Sequence, residues 1–134
     1  MTLGLDTSVV VRLLVGQPVR QAEAARRMLD ERVEKNEPPI ALSDLVVGES
    51  YFALRHHYDI PHAKVVAALR LLLDDPRIFP TGVARQVLSL SPGAIDAPGL
   101  MDRLIHGDYQ RAGVLLLTFD RAAGRLPGAT LLAS

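Results

Sequence analysis

Short apolar runs alternate with longer amphipathic segments along this chain, and this alternation restricts the fold more than any other feature. Apolar runs of about four to eight residues are typical of buried strands, whereas apolar residues spaced three and four apart indicate helices. A strand–helix–strand–helix order with wholly apolar strands predicts an α/β sandwich around a mostly parallel sheet. No repeat, low-complexity segment or linker interrupts the pattern, so we expect residues 1–134 to form a single domain.

The predicted strands are short and the predicted helices are longer. We expect strands over 2–5, 40–42, 77–79, 114–118 and 128–132. We expect helices over 7–16, 19–36, 44–58, 61–73, 82–90 and 97–112. Ser43 or Asp44 is the expected N-cap of the third helix, and Pro61 lies in the first turn of the fourth.

Two acids follow predicted strands. Asp6 stands at the end of the first strand, and Asp120 stands just past the strand over 114–118. Ligands of open parallel sheets bind outside the carboxyl ends of the strands, where both carboxylates would meet. The alternative is that each acid caps the helix that follows it. The sequence leaves both interpretations open.

Glu49 lies in the middle of an apolar helical stripe. Helical spacing puts it beside Leu45, Val46, Phe52, Ala53 and His56, and the opposite face, with Val47, Tyr51, Leu54 and Tyr58, is also apolar. We therefore expect the helix to be buried on two sides, one of which would face a second subunit. A buried carboxylate needs a bound metal or a cation partner, and Arg12 and Arg55 are the candidates for an ion pair. The other alternative is that Glu49 lies at the rim of the buried face.

Asp102 is expected near the start of the helix over 97–112. The helix dipole favours an anion in the first turn, so this position suits either a ligand or a stabilising charge. Asp96 competes for the same role, or acts as the N-cap before Ala97 and Pro98.

These four acids together suit a metal ion. Mg²⁺ and Mn²⁺ are hard cations that take oxygen ligands, and a cation offsets the repulsion among clustered carboxylates. A bound metal ion activates water and stabilises charge on a phosphate under attack. The sequence therefore predicts metal-dependent hydrolysis of a phosphodiester.

The composition excludes several classes of protein. There are no cysteines, which excludes disulfides, zinc–thiolate sites and thiol nucleophiles. The absence of a long apolar run and of a basic, cleavable leader predicts a cytoplasmic protein without a membrane span. The net charge of +0 argues against nucleic-acid binding through an extended positively charged surface. However, thirteen of the fifteen cations are Arg, which suits bidentate contacts with phosphate. Few aromatic residues are present to stack on bases.

Four segments give the chain a family resemblance. They are LDTSVVVRLL at 5–14, the segment 45–58 with its Gly48-Glu49 and Ala53-Leu54-Arg55, MDRLI at 101–105, and LLTFDR at 116–121. In the order and spacing of their acids they resemble the PIN-domain family, and within it the VapC toxins of bacterial type II toxin–antitoxin pairs. One departure is the Asp96-Ala-Pro-Gly stretch, which stands where the family usually carries an apolar residue and an acid.

The resemblance implies a three-layer α/β/α sandwich and a magnesium-dependent endoribonuclease. It implies Asp6, Glu49 and Asp102 as metal ligands, and Asp120 as a fourth acid that binds the metal directly or through water. Ser8 and Thr118 match small hydroxyl positions that brace such a site. It further implies a homodimer and a cognate antitoxin, through which alone the protein would contact DNA.

Other functions remain as alternatives. His56, His57, His62 and His106 would serve a metal-free acid–base ribonuclease, whose product is a 2′,3′-cyclic phosphate. A phosphorylated signalling domain is disfavoured because it needs a Lys after a late strand, whereas Lys35 and Lys64 lie on predicted helices. A PIN fold that binds a small partner without catalysis is the remaining alternative.

Overall fold

The computed structural model describes residues 2–133, and they form a mixed α/β chain. The helices are α1 (Thr7–Val15), α2 (Val19–Glu34), α3 (Asp44–His56), α4 (His62–Asp74), α5 (Ala84–Leu88) and α6 (Leu100–Arg111). The strands are β1 (Ile40–Leu42), β2 (Ile78–Pro80), β3 (Leu116–Thr118) and β4 (Ala129–Leu131). Short 3-10 helices cover Pro92–Ile95 and Ala123–Arg125.

The predicted helices are all present, and local signals account for several of their ends. The Ser43 hydroxyl accepts a hydrogen bond from the Val46 N–H at 3.3 Å and caps α3, so Ser43 is the N-cap. Pro61 immediately precedes α4. The helix expected over 82–90 is only α5, and the one expected over 97–112 begins at Leu100 after an N-cap at Gly99.

The first sheet is parallel and small. β1 pairs with β2 in a register that sets Ile40 opposite Ile78. On the other side of β1, the predicted first strand is reduced to a parallel bridge between Gly4 and Ala41. The Leu5 N–H donates to the Ala41 carbonyl at 2.9 Å, and the Ala41 N–H donates to the Leu3 carbonyl at 2.7 Å.

β3 and β4 form a second parallel pair, and no strand pairing joins the two sheets within residues 2–133. The expectation of a buried apolar strand over 114–118 is wrong, because Leu115 is 71% exposed and Leu117 63% exposed. β3 packs against β4, α6 and the short helix Ala123–Arg125, which leaves one face of this pair uncovered. An apolar run alone does not show which faces will be covered.

The hydrophobic core lies between the helices and the first sheet. Its largest fully buried side chains include Ile40, Leu42, Leu54 and Leu69. Among the described residues, this core cluster extends no further along the chain than Leu104. The β3–β4 pair is attached through α6, where the His106 ring lies 2.6 Å from the Pro127 carbonyl oxygen. Every helix within residues 2–133 is too short or too polar to cross a bilayer.

Candidate metal site

Asp6 is exposed at the start of α1. It is the N-cap residue of the helix, but its carboxylate makes no capping hydrogen bond. Instead, the Ser8 hydroxyl donates to Asp6 Oδ2 at 3.1 Å. Ser8 thus orients the carboxylate, and the other carboxylate oxygen has no hydrogen-bond partner within residues 2–133.

Glu49 is exposed, so the expectation that it is buried is wrong. The side of α3 that packs into the protein carries Val47, Gly48, Ser50 and Leu54. The face around Glu49 is uncovered, with Leu45 75% exposed and Phe52 47% exposed. Although α3 carries apolar residues on both sides, the rest of the chain covers only one of them. The energetic cost of burying a carboxylate, which made Glu49 a candidate ligand, therefore does not apply.

No cation is paired with Glu49 within residues 2–133. Both proposed ion-pair partners are occupied elsewhere. The Arg55 guanidinium donates to the Ile60 carbonyl at 3.0 Å, and Arg12 Nε donates to Gln21 Oε1 at 2.8 Å. The carboxylate of Glu49 is therefore not neutralised by a neighbouring base.

Asp102 is half-buried in the first turn of α6, as predicted. Gly48 of α3 touches Met101 of α6 so closely that a Cβ at residue 48 would overlap the Met101 side chain. Glu49 and Asp102 are the next residues along each helix. α3 also packs against α1, which begins after Asp6, so the first three candidate acids belong to connected helices.

Asp96 is exposed and lies outside α6. It forms an isolated antiparallel bridge with Gly99, and Gly99 rather than Asp96 is the N-cap of the helix. The capping role considered for Asp96 is therefore wrong. The guanidinium of Arg103 holds this loop, because it donates to the carbonyls of Pro98 at 2.9 Å and Ala94 at 2.8 Å.

Asp120 lies two residues before Ala122, the N-cap of the short helix that follows β3, so Asp120 is not the N-cap itself. Its Oδ1 nevertheless accepts a hydrogen bond from the Ala123 N–H at 2.9 Å and holds the turn that leads into the helix. Its own N–H donates to Thr118 Oγ1 at 3.0 Å. Thr118 therefore holds the main chain of Asp120, and the second carboxylate oxygen has no hydrogen-bond partner among the described residues.

Within residues 2–133, no three His, Asp or Glu side chains lie close enough together to hold a metal ion. The donor chemistry nevertheless fits a hard cation. Asp6, Glu49 and Asp102 offer carboxylate oxygens, and no Lys, Arg or His is paired with any of them in the described chain. The ligand atoms are of the type that Mg²⁺ binds, whereas these side chains do not lie close enough together in the described residues to bind one ion jointly.

Two histidines have structural contacts instead of a shared site. His62 Nε2 lies 2.8 Å from the Pro92 carbonyl oxygen, an acceptor, so this nitrogen carries the proton. His62 Nδ1 then accepts a hydrogen bond from the Tyr51 hydroxyl at 2.6 Å. His106 is buried against Pro127. These contacts disfavour the metal-free histidine mechanism.

The sequence did not reveal the role of nearly half of the arginines. Six of them donate to main-chain carbonyls at the ends of helices or in loops: Arg32, Arg55, Arg70, Arg85, Arg103 and Arg111. A guanidinium offers several donors in a fixed fork, which suits such sites. Nearly half of the arginines thus have a structural role. Arg70, Arg85 and Arg111 reach carbonyls 12 to 30 residues away along the chain, and no local sequence pattern indicates such contacts.

Asp44 is a second residue whose role the sequence did not identify. Its carboxylate accepts hydrogen bonds from the N–H groups of Val83 and Ala84, each at 3.0 Å. This contact fixes the start of α5 across about forty residues of chain. No periodicity in the sequence indicates such a long-range cap.

Comparison with known proteins adds no relative: no family model and no curated protein matches this chain.

Proposed function

We propose that this chain is a metal-dependent endoribonuclease of the PIN-domain type and the toxin of a type II toxin–antitoxin pair. The observation that supports this best is the position of three carboxylates that have no cation partner in the described part of the chain. Asp6, Glu49 and Asp102 lie at the start of α1, in α3 and in the first turn of α6, and α3 packs against both other helices.

Each candidate residue would have a separate role in metal binding or in positioning the site. Asp6, Glu49 and Asp102 would bind Mg²⁺, with Mn²⁺ as a substitute, and Asp120 would assist directly or through water. The ion would supply an activated water and neutralise charge on the phosphate. Ser8 orients Asp6, and Thr118 holds the main chain of Asp120. The expected products carry 5′-phosphate and 3′-hydroxyl ends.

This function requires the acids to converge, and we propose that one mostly parallel sheet in a three-layer sandwich brings Asp6 and Asp120 to the same edge. Two open strand edges support this. Leu116 N–H and Thr118 carbonyl face β4, so the main-chain groups of Leu117 point to the other side, where no described residue pairs with them. Gly4 has a similarly open edge opposite β1. Hydrogen exchange tests the pairing: protection of the Leu117 and Gly4 amides is expected, and rapid exchange of both contradicts it.

The partners follow from the same proposal. The exposed Leu45 and Phe52 on α3 suit a homodimer contact, whose loss in a Leu45→Glu variant would appear as a halved mass in light scattering. A cognate antitoxin would inhibit the enzyme and supply any DNA contact. We place the protein in the cytoplasm, where its RNA substrate is present.

RNA end-mapping after induction tests the catalytic proposal. Wild type should produce new 5′-phosphate ends, and Asp6→Asn and Glu49→Gln should not. Glu23→Gln is the matched control, because Glu23 is an exposed glutamate in α2 and the change is chemically identical. Cleavage that persists in EDTA, or that Glu49→Gln leaves intact, excludes the mechanism.

The second candidate is a non-catalytic binding protein with the same fold. The observation in its favour is that no three acids come together within residues 2–133. It predicts no new RNA ends in wild type or variants, together with unimpaired capture of a small partner protein.

A further inference from the structure

A cavity of about 450 Å³ lies between α1 and α2, and its lining includes Ser8, the hydrogen-bond partner of Asp6. Small and apolar side chains form much of its wall, and polar groups stand at one side. The lining residues are Ser8, Val9 and Arg12 of α1 with Gln21, Ala24, Ala25 and Met28 of α2. We call this cavity the α1–α2 groove.

Among the described residues that line the groove, Arg12 supplies the only charge, because none of the others is an Asp, Glu, Lys or second Arg. Its Nε donates to Gln21 Oε1 at 2.8 Å, which fixes the plane of the guanidinium. Neither Nη nitrogen makes a hydrogen bond or ion pair with another residue in 2–133. The groove therefore presents oriented donors and an uncompensated positive charge.

Arg12 differs in this respect from the arginines that hold the fold. Arg70 uses both Nε and Nη2 on the carbonyls of Leu88 and Leu90, each at 2.6 Å. Arg85 likewise directs Nε and Nη2 at the Leu73 carbonyl. Arg12 uses only Nε in a hydrogen bond within residues 2–133. Its two Nη nitrogens, whose geometry matches two phosphate oxygens, remain available.

Ser8 connects the groove to the first candidate acid. Its hydroxyl donates to Asp6 Oδ2 at 3.1 Å, and it lies four residues, about one helical turn, before Arg12 on α1. The Arg12 fork is thus about one turn of helix away from the residue that orients Asp6. An anion in the groove would lie near Asp6, the first of the carboxylates proposed to carry the metal.

We propose that the α1–α2 groove binds a backbone phosphate of the RNA strand that flanks the phosphodiester to be cut. This inference rests on the proposed ribonuclease function. Both Nη groups of Arg12 donate to the phosphate oxygens, and Gln21 is a positioning residue that holds the guanidinium. The contact is with the backbone, so it orients the strand without reading its sequence.

Binding is measured by fluorescence anisotropy with a labelled oligouridylate in EDTA, which prevents cleavage. For Arg12→Ala we expect the dissociation constant to rise about tenfold, because a charge-assisted hydrogen-bond pair is lost. The salt dependence should weaken by about 0.7 in log–log slope, the value for one phosphate on a single strand. Arg27→Ala is the matched control and should change affinity less than about twofold, since Arg27 is exposed on α2 and its side chain makes no hydrogen bond within residues 2–133.

Two further variants keep the test valid if Arg12→Ala unfolds. Arg12→Lys retains the positive charge but removes the paired Nη donors. Gln21→Ala retains the Arg12 guanidinium but removes the hydrogen bond that orients it. Both should weaken binding, while thermal unfolding by circular dichroism shows that they are folded. Equal effects of Arg12→Ala and Arg27→Ala, or no binding of oligouridylate by wild type, overturn the proposal.

A labelled oligoglutamate of the same length distinguishes RNA from an acidic protein ligand. Arg12-dependent binding that is as tight for oligoglutamate as for RNA overturns the phosphate assignment. Cleavage in Mg²⁺ is scored separately. If RNA binding depends on Arg12 but no cleavage occurs, the catalytic proposal alone is refuted. If the wild type cleaves RNA but Arg12 substitutions change neither cleavage nor binding, the groove proposal alone is refuted.

Discussion

Gly48 of α3 and Met101 of α6 touch so closely that a Cβ added at residue 48 would overlap the Met101 sulfur, with Leu104 Cδ1 only 3.7 Å away. The missing side chain at residue 48 is therefore what permits the two helices to approach. Because Glu49 and Asp102 directly follow these residues, the contact controls the relative position of two of the candidate acids.

The first prediction concerns this contact. Gly48→Val should lower the free energy of unfolding by about 1–3 kcal/mol, the usual cost of inserting methyl groups into a packed interior. Chemical denaturation measures the change. Met101→Ala removes the overlapping side chain, so the same substitution in that background should cost less. Gly93→Val is the control, since a Cβ at residue 93 meets nothing within 4 Å. Equal penalties at both glycines would show that the contact is unimportant.

Local chemistry made the helices predictable from the sequence. Ser43 and Pro61 mark the starts of α3 and α4 through interactions within a few residues, and the structure has both helices there. The first strand was less predictable. Residues 2–5 are apolar enough for a strand, but only Gly4 forms a bridge, with Ala41 of β1. Strand formation depends on pairing with a neighbouring strand, which the apolar character of a segment does not determine.

The candidate site was less predictable than the fold, and Glu49 shows why. A helical wheel gives the relative directions of side chains but not which face the rest of the chain will cover. Here Val47 and Leu54 are covered, while Leu45 and Phe52 are not. Glu49 remains a candidate ligand because it is exposed and has no ion-pair partner among residues 2–133, which is a different reason from the predicted burial.

The second prediction concerns the cap that Asp44 provides for α5. Asp44→Ala should lower the free energy of unfolding by about 1–3 kcal/mol, because two half-buried N–H groups lose their acceptor. Ser43→Ala, which removes the local cap of α3, should cost about 1 kcal/mol. Thermal and chemical denaturation give both values. A smaller effect at Asp44 than at Ser43 would contradict the long-range capping role.

The third prediction is a pH dependence at Asp75. Hydrogen bonds from the Arg77 side chain hold the pKa of the Asp75 carboxyl below its usual value of 3.8. A lowered folded-state pKa stabilises the protein above the unfolded value, and this stabilisation is lost as the pH falls through the folded-state pKa. Asp75→Asn should therefore destabilise the protein at neutral pH by about 1 kcal/mol, given partial exposure to solvent.

The measurement is the melting temperature of wild type and Asp75→Asn as a function of pH. Their difference should be constant at neutral pH and should shrink below pH 3.8. Asp30→Asn is the control, because Asp30 also pairs with Arg77, at 3.1 Å, but its side chain is 70% exposed. A difference between wild type and Asp75→Asn that grows as the pH falls would contradict the assignment.

The last prediction separates the two roles of Asp120. Asn keeps an oxygen that accepts the hydrogen bond from the Ala123 N–H, whereas Ala removes it. Asp120→Asn should therefore melt near the wild-type temperature but show reduced RNA cleavage, because a neutral amide is a poorer ligand for Mg²⁺ than a carboxylate. Asp120→Ala should also lose about 1 kcal/mol of stability. If Asp120→Asn cleaves RNA as wild type does while Asp120→Ala is destabilised, Asp120 only holds the turn before the short helix, and Asp6, Glu49 and Asp102 must hold the ion without it.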